Sequence, residues 1–353
     1  MKVLLYGANG YTGNLIARVA RDLPGAPELI LAGRSPDKVE TIGDALGYET
    51  RIFGLDGPST LDANLEGVGA VLHCAGPFAR TSRPMVEACL RQRVHYLDVT
   101  GELAVFEALA ARDAEAREAG IMVMPGVGFD VVPSDCLALH VARRVPQATR
   151  LTIALLGLGG RMSHGTATTA VENLHKGSFV RRRGALEPMP VAKLRKKIDF
   201  GSGPRLAMGV PLADLSTAFH STGIGDIETY LGGSGGLVYG ARVMGMVPWL
   251  VGSKPVQRII KSRVDRAPAG PTDEERAKGR SVVWAEARND AGRRAAARLE
   301  TPEGYTTTAY AALAIAKRVT EGQLTTGFQT PAKAYGPDLI LQVVAGCVRT
   351  DLE

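Results

Sequence analysis

Aromatic side chains are scarce in this chain: 8 Phe, 2 Trp and 9 Tyr among 353 residues. No basic stripe is interleaved with them, which argues against a stacking platform for nucleic acid. Cysteine is sparser still. Cys74, Cys89, Cys136 and Cys347 stand apart with no C-x-x-C spacing. They read as reduced thiols of a cytoplasmic protein, with no disulfide frame and no metal site expected. Charge is nearly balanced: the net of +6 gathers in Arg181-Arg182-Arg183 and in Lys193 to Lys197, runs that read as solvated faces. Met1 leads almost at once into an apolar run and a glycine turn, so no signal peptide is expected. Internal repeats are also lacking. What remains, 353 residues of which 45% are hydrophobic, is enough for two domains with separate cores.

The first 126 residues alternate two periodicities. Apolar strand-like runs fall at Val3–Tyr6, Leu29–Ala32, Arg51–Phe53, Ala70–His73, His95–Asp98 and Ile121–Met124. Helix-like segments separate them; in the first, Leu15, Ile16, Val19 and Leu23 share one face. Others are expected at Pro36–Leu46, Ser59–Leu65, Pro84–Arg93 and Glu102–Glu118. Such alternation predicts an α/β fold, a doubly wound parallel sheet of the Rossmann type over residues 1–126. After Pro125 the rhythm breaks into mixed strands and irregular stretches, with a helix-like run at Ala167–Lys176. A second, α+β domain is expected over 127–330, for substrate or dimer contacts. A final segment, 331–353, is expected to pack back on the first domain.

The turn after the first strand reads Gly7-Ala8-Asn9-Gly10-Tyr11-Thr12-Gly13. Between a buried strand and a helix, that spacing is a phosphate cradle. Gly7 permits the tight turn, Gly10 lets the backbone approach a pyrophosphate, and Gly13 lets the helix pack on its strand. The helix N-terminus then favours the anion. An NAD site wants Asp or Glu at the end of the second strand. Here the strand ends Gly33-Arg34-Ser35, and no carboxylate comes before Asp37. Arg34 and Ser35 suit a 2′-phosphate, so NADP (NADPH) is the expected cofactor. The fourth strand ends Cys74-Ala75-Gly76-Pro77, small residues where the nicotinamide ribose would lie, or equally plain turn chemistry.

Two related chemistries lack their motifs. Short-chain dehydrogenases need Tyr-x-x-x-Lys, and no tyrosine here has lysine four residues later. Semialdehyde dehydrogenases need a nucleophilic cysteine, whereas Cys136 in "PSDCLALH" looks like an amphipathic helix position. The segments "GANGYTG", "LAGRS", "CAGPF", "HYLDVTGE" and "GFDVVPSD", followed by "STGIGDIETY", "GPTDEERAKGRS" and "GFQTPAKAYG", resemble those of the saccharopine dehydrogenase-like oxidoreductases. The subgroup they resemble includes trans-acting enoyl reductases. Family members often carry Tyr-Gly after the Gly-Pro-aromatic motif; this chain has Ala79-Arg80 after Phe78.

The resemblance implies hydride transfer to a C=C or C=N bond. Saccharopine itself would need converging cations, for which Arg161, Lys176 and the Arg181 cluster are available. The nearly uncharged stretch Gly232–Val251, followed by Lys254, Arg258, Lys261 and Arg263, suits a hydrophobic acyl substrate, an acidic acyl carrier or peripheral docking on an anionic membrane. It also reads as core followed by a solvated helix. A homodimer is open. Tyr96 and Asp98 share one strand face, and Thr100 and Glu102 read as caps of the following helix. Asp130 and Ser134 fall at the expected domain crossing. His164, flanked by small turn residues, is the preferred proton donor over a surface histidine, since its titration range suits acid–base work.

Overall fold

A computed structural model describes residues 1–158, 163–165, 168, 177–190, 193–233, 262, 266 and 268–353. They form two compact units, each from two stretches of chain: Met1–Val132 with Tyr305–Ala334, and Pro133–Gly304 with Tyr335–Glu353.

The first unit alternates as its periodicity predicts: β1 (Lys2–Tyr6), α1 (Tyr11–Asp22), β2 (Leu29–Gly33), α2 (Pro36–Leu46), β3 (Glu49–Ile52), α3 (Pro58–Asn64), β4 (Val68–His73), α4 (Phe78–Gln92), β5 (His95–Asp98), α5 (Leu103–Ala110), α6 (Asp113–Glu118) and β6 (Met122–Met124). These strands pair in parallel in the order β6-β5-β4-β1-β2-β3. That is the doubly wound dinucleotide order, with the crevice where β1 meets both β2 and β4. Val3, Leu4 and Leu5 are fully buried, as expected of a parallel strand covered on both faces. Each such leucine contributes roughly 1.5–3 kcal/mol of burial.

Three boundaries differ from expectation. Helix α4 starts at Phe78 rather than Pro84, because the Glu102 carboxylate accepts hydrogen bonds from the Phe78 and Ala79 N–H groups and so caps a first turn that lies before the proline. The helix expected over Glu102–Glu118 turns at Arg112 and splits into α5 and α6. Asp113 thereby reaches both the Phe328 N–H (2.7 Å) and Arg117 (2.7 Å). Residues returning to the first unit are 305–334, not 331–353. They bring the helix Gly304–Thr320 and a seventh strand, β15 (Gly327–Phe328), parallel to β6.

The second unit opens with the helix α7 (Val132–Arg143). It is a mixed nine-stranded sheet of β7 (Arg150–Leu158), β8 (Ser178–Arg182), β9 (Ala185–Met189), β10 (Arg195–Asp199), β11 (Pro204–Gly209), β12 (Asp226–Gly232), β13 (Arg280–Arg288), β14 (Arg294–Pro302) and β16 (Val348–Leu352). β7 and β12 pair in parallel; the other pairs are antiparallel. The last strand, β16, pairs with β14 and is tied to α7 by Asp351, which meets His140 at 2.7 Å and Arg144 at 2.6 Å. The C-terminal residues 335–353 thus complete the second unit. Arg181, expected on a solvated face, is instead buried: its guanidinium donates to the Leu215 and Gly184 carbonyls and lies 4.5 Å from the Phe219 ring. The expected helix 167–176 (residue 168 apart), Arg161, Lys176, and the stretch from 234 through Lys254, Arg258, Lys261 and Arg263 lie outside the described residues. Among those described, no helix is long and apolar enough to cross a membrane.

His73, the last residue of β4, is fully buried among Tyr6, Phe78 and Tyr96, with ring centroids at 5.4, 5.4 and 6.2 Å. Neither ring nitrogen has a hydrogen-bond partner among the described residues. Burial pushes its imidazole down to about 3 from an ordinary 6.5. The unfolded chain therefore binds a proton that the native state refuses. The associated stability is full above pH 6.5 and lost as pH falls toward about 3. His73→Leu is expected to raise stability near neutral pH by ~1–3 kcal/mol, the usual cost of an orphaned buried polar group. It should also flatten the dependence of the urea midpoint on pH below 6.5. A lowered midpoint at neutral pH would show that the imidazole is bonded after all.

Candidate cofactor site

The glycine turn closes onto the strands beside it. Gly7 has φ +88°, and both its N–H and that of Ala8 donate to the Ala32 carbonyl of β2, at 2.8 and 3.1 Å. A Cβ on Gly7 would stand 2.8 Å from the Ala75 nitrogen, so the turn presses on the loop after β4. On Gly13 it would stand 2.3 Å from the Gly7 carbonyl oxygen. Gly13 is therefore demanded by packing alone. Gly10 is different. It is exposed, has ordinary extended torsions (φ −78°, ψ 163°), and its nearest obstruction would be the Gly7 oxygen at 3.3 Å. It is also the N-cap of α1 and, being glycine, offers that helix no side-chain cap. A helix N-terminus beside a residue with no side chain fits a pyrophosphate.

At the end of β2, Arg34 is exposed, and its side chain makes no hydrogen bond or ion pair among the described residues. Ser35 is the N-cap of α2, yet its hydroxyl makes no cap bond. A guanidinium and a hydroxyl thus stand at the strand end where an NAD-selective site would hold an acid. Asn9 packs beside them: a Cβ on Gly33 would lie 3.0 Å from its Oδ1.

On the opposite side of β1, the Ala75-Gly76-Pro77 loop is held at both ends. Thr81 Oγ1 donates to the Ala75 carbonyl at 2.7 Å, and Glu102 accepts from Phe78 N at 2.8 Å and Ala79 N at 3.1 Å. Glu102 is the N-cap of α5 but does not cap that helix with its side chain. Beneath, the buried Asp98 accepts from Tyr96 Oη (2.8 Å), Thr100 N (2.9 Å) and Gly126 N (2.9 Å). Burial pushes its carboxyl up to about 6 against the pull of these donors. The Tyr96–Asp98 pair is therefore a buried brace between strand ends.

Of the catalytic candidates, Asp130 belongs to the first unit, and Ser134 and His164 to the second. Asp130 is exposed at the carboxyl edge, its carboxylate over Gly101, where a Cβ would lie 2.7 Å from Oδ2. Ser134 is fully buried in the first turn of α7. His164 is half-buried, and its N–H donates to the Ala269 carbonyl at 3.2 Å. Cys136 is buried, with its thiol pushed up by burial, as befits a core residue. A surface groove of about 550 Å³ lined by Arg91, Arg93, Arg112 and Glu115 lies by the C-terminal end of α4, at the other edge of the sheet. No cluster of metal-ligating side chains occurs among the described residues.

Two parts of this edge carry no sequence motif. Tyr305, from the returning helix, meets the ring of Tyr11 edge-on at 5.0 Å, and Thr308 Oγ1 accepts from Phe129 N at 3.0 Å. Both depend on chain arriving from far downstream, 179 residues away in the case of Phe129 and Thr308. Glu102, taken as a local cap, reaches a different helix.

Residues 3–124 match the family model of the saccharopine dehydrogenase NADP binding domain. The first unit is thus an NADP-binding domain of that type, in line with the motif resemblance. A Mycobacterium tuberculosis protein provisionally named a trans-acting enoyl reductase is 33% identical over 187 residues, 50% of this chain and 45% of its own length. The trans-acting enoyl reductase of Mycobacterium leprae is 33% identical over 149 residues, 40% of this chain and 36% of its own. This chain spans less than half the length of these curated relatives. Among solved structures, saccharopine dehydrogenase (L-Glu forming) of Saccharomyces cerevisiae superimposes with a TM-score of 0.68 over 100% of both chains, at 12% identity. Homospermidine synthase of Legionella pneumophila, in complex with NAD, gives 0.64 over 99% of this chain and 91% of its own, at 8% identity. These likenesses show the fold.

The glycine geometry separates two substitutions. Gly13→Ala is expected to destabilise the fold by roughly 1–3 kcal/mol through overpacking, seen as a lowered Tm without cofactor. Gly10→Ala should leave that Tm nearly unchanged and weaken NADPH binding, and Gly10→Val should abolish it. A Gly10→Ala protein that binds NADPH normally would remove the pyrophosphate from this turn.

Proposed function

We propose that this chain, with its saccharopine dehydrogenase-type NADP-binding domain, is an oxidoreductase that uses NADPH to reduce the C=C bond of a hydrophobic acyl substrate, free or tethered to an acyl carrier. The observation that carries the cofactor half is the unengaged Arg34 and Ser35 at the end of β2. The reaction class rests on the enoyl reductase names of its relatives.

NADPH, when bound, supplies the hydride. The residues of the chain would do the rest. The first turn of α1 would hold the pyrophosphate, and Arg34 with Ser35 the 2′-phosphate. Ala75, Gly76 and Pro77 would flank the ribose on the β4 side. A proton must reach the carbon next to the acyl carbonyl, and His164 is the proposed donor, with Asp130 as a group that orients the substrate. The test is NADPH consumption with a panel of enoyl thioesters. NADP reduction with saccharopine would instead assign C–N chemistry, and tight NADPH binding with no turnover would mark a non-catalytic binding protein.

NADPH should bind more tightly than NADH, and Arg34→Ala should remove about 1.5–3 kcal/mol of that preference, the worth of a charged hydrogen bond. Equal affinity in the unmutated protein would overturn the assignment to Arg34. His164→Gln should lower turnover by roughly two to four orders of magnitude and leave the NADPH Kd unchanged. Unaltered turnover would pass the proton to another group.

A further inference from the structure

We propose that Glu102 is a positioning residue that fixes the loop after β4 for the nicotinamide half of the cofactor, an inference that rests on the NADP reading above and goes beyond it.

Its carboxylate spans the first turn of α4. Oε1 accepts from Phe78 N at 2.8 Å and Oε2 from Ala79 N at 3.1 Å, so both oxygens are engaged by backbone N–H groups at the positive end of a 15-residue helix. Glu102 is itself anchored. Its N–H donates to Thr100 Oγ1 at 3.1 Å, and the Thr100 N–H donates to the buried Asp98 at 2.9 Å. A run of hydrogen bonds therefore leads from the end of β5 to the start of α4. Between the end of β4 and that start lies the Ala75-Gly76-Pro77 loop. Thr81 ties it from the helix side through the Ala75 carbonyl, and Ala75 abuts Gly7 of the phosphate turn.

Two consequences follow. A protein carboxylate already fills the N-terminus of α4, so that helix end does not serve an anion. The N-terminus of α1, whose N-cap Gly10 carries no side chain, is the end that the NADP reading gives to the pyrophosphate. In a doubly wound sheet the dinucleotide lies across the switch point. With Arg34 marking the adenosine side at β2, the nicotinamide side falls at β4, where Glu102 acts. Loss of Glu102 should therefore affect one half of the cofactor and spare the other.

The test titrates NADPH and adenosine 2′,5′-bisphosphate, which lacks the nicotinamide half, into the full chain and its variants. Glu102→Ala is expected to weaken NADPH by roughly tenfold or more, the scale of a lost charged hydrogen bond, while the bisphosphate stays within roughly twofold. The emission shift of bound NADPH should shrink with it. Glu102→Gln, which keeps one acceptor oxygen, should fall between. Thr81→Val loosens the same loop from its other side and should show the same split, which keeps the test decisive if Glu102→Ala fails to fold. Equal weakening of both ligands, or no change in either, would overturn the proposal. An unmutated chain that binds neither ligand would overturn the NADP reading instead.

Discussion

The approach of Gly13 to the carbonyl of Gly7 sets how closely α1 can lie against the end of β1, and the rest of the carboxyl edge is arranged around that contact. With no side chain at either position, the turn sinks far enough for two of its N–H groups to reach β2 and for its back to meet Ala75 after β4. Three strand ends are thereby locked to one another by backbone contacts. Such contacts hold Arg34, the first turn of α1 and the Ala75 loop on a common rim, without relying on long side chains that lose entropy when ordered.

Beneath that rim the polar groups are of another kind. Asp98 is a buried carboxyl with three donors, and His73 a buried imidazole with no partner among the described residues. Burial shifts both toward their neutral forms, with opposite effects on stability. Asp98, raised to about 6, holds a proton that the unfolded chain releases above 3.8, so it favours the native state toward acid. His73 does the reverse. The brace under the crevice is therefore partly compensated against acid. Asp130, on the rim itself, is open to solvent.

Local chemistry was legible in the sequence, and long-range polar satisfaction was not. The glycine spacing, the continuous apolar strands and the missing acid after β2 are short-range signals, and they led to the parallel sheet and the NADP-binding domain. Glu102 lies 24 residues from Phe78, where the helix it caps begins, so its spacing suggested only a cap for α5. Arg181 looked solvated because three arginines in a row usually are; the carbonyls and the ring that bury it come from Gly184, Leu215 and Phe219. A two-residue strand such as β15 is too short for any periodicity to register. Tyr305 carries no motif of its own and gains its place only through Tyr11.

The returning segment also bears on the order in which the molecule can be completed during synthesis. Residues 1–132 leave the ribosome with the glycine turn and six strands made, yet the partners of Phe129, Tyr11 and the β6 edge come only with residues 305–334. Until then the open side of β6 offers an unpaired strand, the kind of edge that recruits other chains. The matched span 3–124 is therefore shorter than the unit that folds around it. A nascent chain has to hold its first sheet unfinished while the whole second sheet except β16 is made.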